Sequence, residues 1–239
     1  MLKGFAVLYG TQLYKQLSKR NFDILHTFKF YSKWKASLQL KKNSIIDEQP
    51  WITFPVISIL DKYVNSSSKV FEYGGGGSTL FFVNRAHEVV TVEHNNEWFM
   101  LLQDIIKRKN IGKWNGNLVF PEANINTALL NPSKPKDYFS KDPAFATNTF
   151  LAYARFIDKY PDEYFDVVLV DGRARPSCAW QSVTKLKKGG YLVIDNSDRE
   201  YYFAELRKTL ETDFKLIYNK IALSPYVKFF TKTGVWEKL

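Results

Sequence analysis

Four consecutive glycines, Gly74 to Gly77, stand between Glu72-Tyr73 and Ser78-Thr79. Residues without side chains let a ligand approach the backbone closely, and a helix that begins just after them offers unpaired N–H groups to it. Ser78 and Thr79 carry the hydroxyls that cap such a helix start. Glu93 follows 21 residues after Glu72. An acid at that remove from a glycine-rich turn is placed to accept hydrogen bonds from ribose hydroxyls. A glycine run alone would equally be a flexible turn, so the inference rests on the glycines, the caps and the distant acid together.

A second group of polar residues ends two apolar runs: Asp171 after 165–170, and Asp195 with Asn196 after 191–194. Arg173, Arg175 and Arg199 fall in the same loops. Guanidinium groups there suit bidentate recognition of a carboxylate or phosphate. They equally suit ion pairs with Asp171, Asp195, Asp198 or Glu200. His26 and His87 have no companion groups that suggest chemistry. Cys178 lies on an apolar helix face with no base nearby and reads as core.

These residues must be positioned by the elements between them. The pattern predicts a short helix within 57–64, a strand over 69–73, a helix over 78–85 and a strand over 88–93. It then predicts a helix over 95–110 with Trp98, Leu101, Leu102, Ile105 and Ile106 on its apolar face. A third strand is expected at 117–120, followed by a long loop over 121–148 that reads as a lid or substrate loop. A helix over 149–160 leads to 165–170, which is apolar enough to be a central strand buried on both faces. Further elements are a helix over 177–187 stopped by Gly189-Gly190, a strand over 191–194, a helix over 198–211, and strands near 214–221 and 226–231 that would pair antiparallel. This alternation implies an α/β fold with a doubly wound, mostly parallel sheet and an antiparallel C-terminal edge strand. Strand ends carrying Glu93, Asp171 and Asp195 should then open on one ligand-binding edge.

With those elements in place, Glu72-x-Gly74-x-Gly76-x-Ser78 resembles the first motif of the class I S-adenosylmethionine-dependent methyltransferases, with Ser78 where the common pattern has a third glycine. The segments from Phe165 to Gly172 and from Lys188 to Asn196 resemble the family's fourth- and fifth-strand motifs, in the family's order. The resemblance spans about residues 50–235 and looks nearest to bacterial methyltransferase-like proteins. It implies a seven-stranded Rossmann-like sheet with S-adenosylmethionine as cofactor. Glu72, Gly74, Gly75, Gly76 and Ser78 would line the cofactor, Glu93 would bind the ribose, and His94 would sit beside the adenosine, with Glu122 or Ala123 near the adenine. Asp171 would face the site; Asp171 or His94 is the candidate base. Metal-dependent O-methyltransferases of this fold place Asp and Asp-Asn where Asp171, Asp195 and Asn196 stand, and three oxygens suit Mg²⁺. Ala174 replaces the lysine of the catechol-type enzymes, and Arg173 and Arg175 add positive charge, so a metal is not the favoured expectation. Arg173, Arg175, Asp195, Asn196 and Arg199 become the candidate acceptor-binding residues.

Composition bounds the remainder. Of 239 residues, 45% are hydrophobic and 16% aromatic, which supplies a large core and excludes wholesale disorder. The net charge is +10, and residues 1–42 carry nine basic residues against Asp23 alone. Residues 1–48 thus read as a basic helical extension and 49–239 as the cofactor-binding domain. The extension is either a solvated arm or, because Phe22, Phe28, Phe30, Tyr31 and Trp34 lie among the bases, a surface for nucleic acid or an anionic membrane. One cysteine forbids an intrachain disulfide, and no apolar run reaches the roughly 18 residues of a membrane span. A cytoplasmic protein, at most peripheral to a membrane, is the expectation. The functional expectation is methyl transfer to an oxygen of a small or glycan-type acceptor, anionic if the arginines face it. The rivals are an NAD-dependent oxidoreductase and a non-catalytic module that keeps the cofactor fold.

Overall fold

A computed structural model describes residues 10, 13–14, 22–124 and 126–239. The basic stretch before residue 22 therefore lies almost wholly outside the described residues. The chain runs α1 (Ile24–Ser37), α2 (Phe54–Tyr63), β1 (Lys69–Tyr73), α3 (Gly77–Val83), β2 (Glu88–Glu93), α4 (Asn96–Arg108) and β3 (Trp114–Leu118). It continues through β4 (Glu122–Ala123), β5 (Asn148–Thr149), α5 (Leu151–Arg155), β6 (Phe165–Val170), α6 (Arg175–Lys185) and β7 (Leu186–Asp195). It ends with α7 (Arg207–Thr212), β8 (Phe214–Tyr218), β9 (Ile221–Leu223) and β10 (Phe230–Lys238).

The main sheet has the order β3-β2-β1-β6-β7-β10-β8, with β9 added to the other end of β10. Strands β3 to β7 on this path are parallel, and β10 runs antiparallel to β7, β8 and β9. Side chains alternate across the parallel strands, as the two-residue repeat requires. Phe71, Tyr73, Val90, Val92, Val168 and Val170 pack on one face, and Val70, Val89, Val167, Leu169 and Val193 on the other. Both faces are covered, which is why 165–170 is almost continuously apolar.

Register positions the site. Tyr73 is opposite Val92 and Val170, and Val170 is opposite Ile194. The residues that follow, Gly74, Glu93, Asp171 and Asp195, therefore stand in one row across the carboxyl edge.

Several elements differ from expectation for identifiable reasons. The antiparallel strand β10 is inserted between β7 and β8, so β8 forms the outer edge. The helix expected over 177–187 ends at Lys185, and Gly189 and Gly190 lie inside β7. There Gly189 takes φ +75°, and a Cβ on Gly190 would come within 2.9 Å of Lys187 O. The long helices expected over 149–160 and 198–211 are short α-turns with 3₁₀ segments. The segment 121–148 holds a two-stranded β4–β5 ribbon and 3₁₀ turns. Helix α4 buries Phe99, Leu102 and Ile106, a face rotated from the expected one, which leaves Trp98 and Leu101 outward. Helix α1 buries Phe30 and Trp34 against Ile52, Phe54, Leu223 and Phe230. Among the described residues, no helix is long and apolar enough to cross a membrane.

Candidate active site

The glycines do different work from one another. Gly74 takes φ +88°, and a Cβ there would sit 2.9 Å from Gly172 Cα, so the β1 and β6 loops touch through backbone alone. A Cβ on Gly77 would lie 2.1 Å from Ser44 O and 2.4 Å from Gln49 O. Gly76 is extended, and a Cβ there would meet nothing nearer than the Trp98 indole at 3.7 Å.

Glu72, expected in the cofactor wall, lies beneath it. Its side chain is fully buried and accepts hydrogen bonds from Ser78 Oγ, from Thr79 Oγ1 at 2.6 Å and from Thr91 Oγ1 at 2.9 Å. Thr79 Oγ1 also accepts the Gly76 N–H at 2.9 Å. Glu72 is thus the underside clamp of the glycine loop, and loss of water raises its pKa to about 7 against the hydroxyls that oppose it. Glu93 sits above. Its Oε2 accepts the Gly75 N–H at 2.9 Å, and its Oε1 accepts the N–H groups of His94 at 2.8 Å and Asn95 at 2.7 Å. Burial would raise Glu93, but the His94 ring and these N–H donors outweigh it and hold it below the usual carboxylate range. His94 Nδ1 is 2.8 Å from Glu93 Oε1, close enough for ion pairing yet out of line for a hydrogen bond. The ring packs edge-on against Phe145, Phe150 and Tyr153.

The third cluster is built around Arg175. Its Nη2 reaches Asp171 Oδ1 at 3.0 Å, and its Nη1 reaches Asp195 Oδ2 at 3.3 Å. The same guanidinium donates to the carbonyls of Gly172, Asp195 and Asp171. Thr233 Oγ1 donates to Asp195 Oδ1 at 2.8 Å. Burial and the neighbouring Asp195 push Asp171 well above the usual carboxylate range, against the pull of Arg175. The Asp171 side chain nonetheless remains 23% exposed. This donor set does not fit Mg²⁺. The guanidinium already stands between the two carboxylates, and Asn196, in a left-handed turn at φ 52°, donates its amide to Thr231.

The glycine loop, the Glu93 cluster and the Arg175 cluster face one cavity of about 640 Å³. Gly74 to Ser78 form its floor, Glu93, His94, Asn95 and Trp98 one side, and Asp171, Arg175, Asp195 and Asn196 the other. Ser44, Trp51, Ser224, Val227, Phe229 and Thr231 close it from segments remote in sequence.

No protein-family profile and no curated protein matches the chain. Solved structures do. A Streptococcus mutans protein assigned to the methyltransferases, in complex with S-adenosylhomocysteine, is 14% identical with a TM-score of 0.52, over 76% of this chain and 94% of that one. An rRNA methylase from Streptococcus thermophilus is 13% identical with a TM-score of 0.52, over 80% and 99%. A Klebsiella pneumoniae protein assigned to the O-methyltransferases is 11% identical with a TM-score of 0.51, over 96% of both chains. The sheet order, with an antiparallel strand inserted beside the edge, departs from the dinucleotide order 3-2-1-4-5-6. The fold is that of the class I S-adenosylmethionine-dependent methyltransferases.

Within this methyltransferase fold, the expected residues Gly74, Gly75, Gly76, Ser78, Glu93, His94, Asp171, Arg173, Arg175, Asp195 and Asn196 share the cavity. Glu72 is under the floor, and Arg199 lines a neighbouring cavity instead. Arg175 is an internal clamp, with all three nitrogens turned to protein oxygens. Glu122 caps α5, accepting the N–H groups of Leu151 at 3.0 Å and Ala152 at 2.8 Å. Sequence reasoning missed Trp98, whose Nε1 donates to Gly75 O at 2.5 Å. It also missed the closing segments 44–51 and 224–231. Nothing local in either segment marks it as part of a site, because only the fold brings Trp51 and Phe229 to the cavity.

Proposed function

We propose that this chain transfers the methyl group of S-adenosylmethionine to an oxygen of a small or glycan-type acceptor. The observation that carries the reading is the row of Gly74, Glu93 and Asp171 along one sheet edge, facing one cavity over the glycine loop. The residues suit the cofactor. The cavity size falls in the range of small-molecule sites. Gly76 leaves its floor open, Glu93 Oε2 holds one N–H and keeps acceptor capacity for a ribose hydroxyl, and Trp98 with His94 offers apolar ring surface for the adenosine.

When bound, the cofactor supplies an electrophilic methyl group on a good leaving group, so the chain's own task is chiefly positioning. Asp171 is the group suited to take the acceptor's proton. It borders the cavity, Arg175 fixes its carboxylate through Oδ1, and burial raises its proton affinity above that of an ordinary carboxylate. His94 lies across the cavity in an aromatic surround and serves as wall rather than base in this reading.

Calorimetry with S-adenosylhomocysteine and NAD tests the proposal. Binding of the former and not the latter is expected. Tight NAD binding with no response to S-adenosylhomocysteine would return the oxidoreductase reading. Cofactor binding without methyl transfer to any acceptor would favour the non-catalytic module.

A further inference from the structure

A second cavity, of about 550 Å³, shares Gly172, Arg173 and Arg175 with the first. Four cations line it, Lys141, Arg173, Arg175 and Arg199, against one acid, Asp142. Two of the four are occupied. Arg175 is held by Asp171 and Asp195, and Arg173 Nη2 pairs with Asp142 at 3.1 Å. Even so, Arg173 Nε is a buried donor with no partner. Among the described residues, no carboxylate lies within ion-pair distance of Lys141 or Arg199. Arg199 Nη1 donates to Tyr202 Oη at 2.8 Å, and Lys141 Nζ stands 5.5 Å from the Tyr201 ring. The cavity wall therefore carries two uncompensated positive charges, a spare guanidinium N–H and a pair of tyrosine rings.

We propose that this second cavity anchors the acceptor through a phosphate group, while the acceptor's reacting oxygen reaches past Gly172 into the first cavity. The inference rests on the methyl-transfer reading and narrows its substrate class to phosphorylated small molecules. Two unpaired cations balance a phosphate monoester, which carries about −1.5 to −2 near neutral pH, whereas a single carboxylate would leave one cation unmatched. Arginine and lysine together suit the geometry, a planar fork beside a point charge. The wall that includes Pro132 and Phe139 to Pro143 lines a cavity whose volume of about 550 Å³ suits a compact ligand. It also gives the long segment between β4 and β5 a task.

The full-length protein, at low ionic strength and about pH 7.5, where a phosphate monoester is mostly dianionic, is titrated with glucose 1-phosphate, inorganic phosphate, glucose and a short single-stranded RNA. Each titration is run with and without S-adenosylhomocysteine. Glucose 1-phosphate should bind and glucose should not. The double variant Lys141→Gln/Arg199→Gln, at two exposed positions, should weaken that binding by about tenfold or more, the loss of charge-assisted contacts. Its affinity for S-adenosylhomocysteine should be unchanged. Inorganic phosphate competing with the sugar phosphate would support recognition of the phosphate itself. Sugar-phosphate binding unaltered in the double variant, or absent to millimolar concentration, would overturn the inference. So would RNA binding that depends on these two residues when the sugar phosphate does not bind. Failure of S-adenosylhomocysteine alone to bind would instead overturn methyl transfer, leaving the phosphate titration to stand or fall separately.

Discussion

Glu72 and Glu93 are both buried carboxylates at the same loop, and their surroundings drive them in opposite directions. Glu72 receives only neutral hydroxyl donors, so dehydration prevails and its pKa rises to about 7. Between the unfolded value near 4.5 and about 7, the folded chain binds a proton at Glu72 that the unfolded chain has lost. Stability should therefore fall as pH rises through that window and level off above it. The difference is roughly 3 kcal/mol for this group. Glu72→Gln, which stays neutral, should remove this part of the pH dependence in denaturant unfolding at either end of the window. A variant whose slope matches the wild type would mean that Glu72 is already charged. Glu93 has the opposite sign: its lowered pKa supplies stability above the unfolded value that is lost as pH falls through the folded one. It also holds the Gly75 N–H, so Glu93→Ala should weaken S-adenosylhomocysteine binding by about ten- to a hundredfold, the loss of roughly 1.5–3 kcal/mol of charge-assisted bonds. Unchanged affinity in calorimetry would place the ribose elsewhere. The positions of both acids were legible from their spacing. Their division of labour was not, because it depends on the hydroxyls of Thr79 and Thr91, which the fold brings to Glu72.

At the scale of elements, the glycine loop is a hinge between two contacts, and its glycines separate binding from folding. A methyl group on Gly77 would overlap the carbonyls of Ser44 and Gln49, so Gly77→Ala must push the 44–49 segment off the start of α3. The expected effect is a loss of about 1–3 kcal/mol in stability, the usual range for overpacking. Gly76 is extended and has space around it, so Gly76→Ala should melt like the wild type. Its methyl group would instead intrude on the cavity floor and weaken S-adenosylhomocysteine binding. Thermal melts and calorimetry on the two variants separate these outcomes, and a Gly76→Ala protein that binds normally would remove the loop from the cofactor site. Read as sequence, the four glycines looked like one ligand-facing run, because the segment that packs on Gly77 lies more than two dozen residues earlier. The same limit explains Trp98. An apolar periodicity shared among Trp98, Leu101, Leu102, Ile105 and Ile106 leaves the buried face uncertain by one position around the helix, and tertiary packing chose Phe99, Leu102 and Ile106. The released indole then reached the loop carbonyl of Gly75.

At the scale of the whole molecule, the parallel half of the sheet could be read from alternation, while the insertion of β10 could not, since an antiparallel neighbour leaves no local mark on either strand. The closing wall of the cavity depends on that insertion and on the N-terminal segment together. Phe30 of α1 stacks on Phe54 at 5.4 Å, and Trp34 Nε1 donates to Val227 O at 2.8 Å. Ser37 Oγ accepts the Tyr226 N–H at 3.2 Å, and Tyr226 Oη donates to Asp47 at 3.2 Å. Asp23 accepts from Tyr218 Oη on β8 at 2.8 Å. The loop from Ser224 to Thr231, which forms the cavity wall opposite the glycines, is thus pinned by residues that composition alone would assign to a basic arm. Trp34→Ala should therefore act twice. It removes a fully buried indole, for a loss of about 3–5 kcal/mol in unfolding free energy. It also frees the Val227 carbonyl and loosens the wall, so cofactor affinity should fall even under conditions where the variant remains folded. Trp34→Phe, which keeps most of the packing but lacks the donor, should recover much of the stability and leave the affinity defect. A Trp34→Phe protein with wild-type binding would show that the N-terminal segment supports the core without shaping the site.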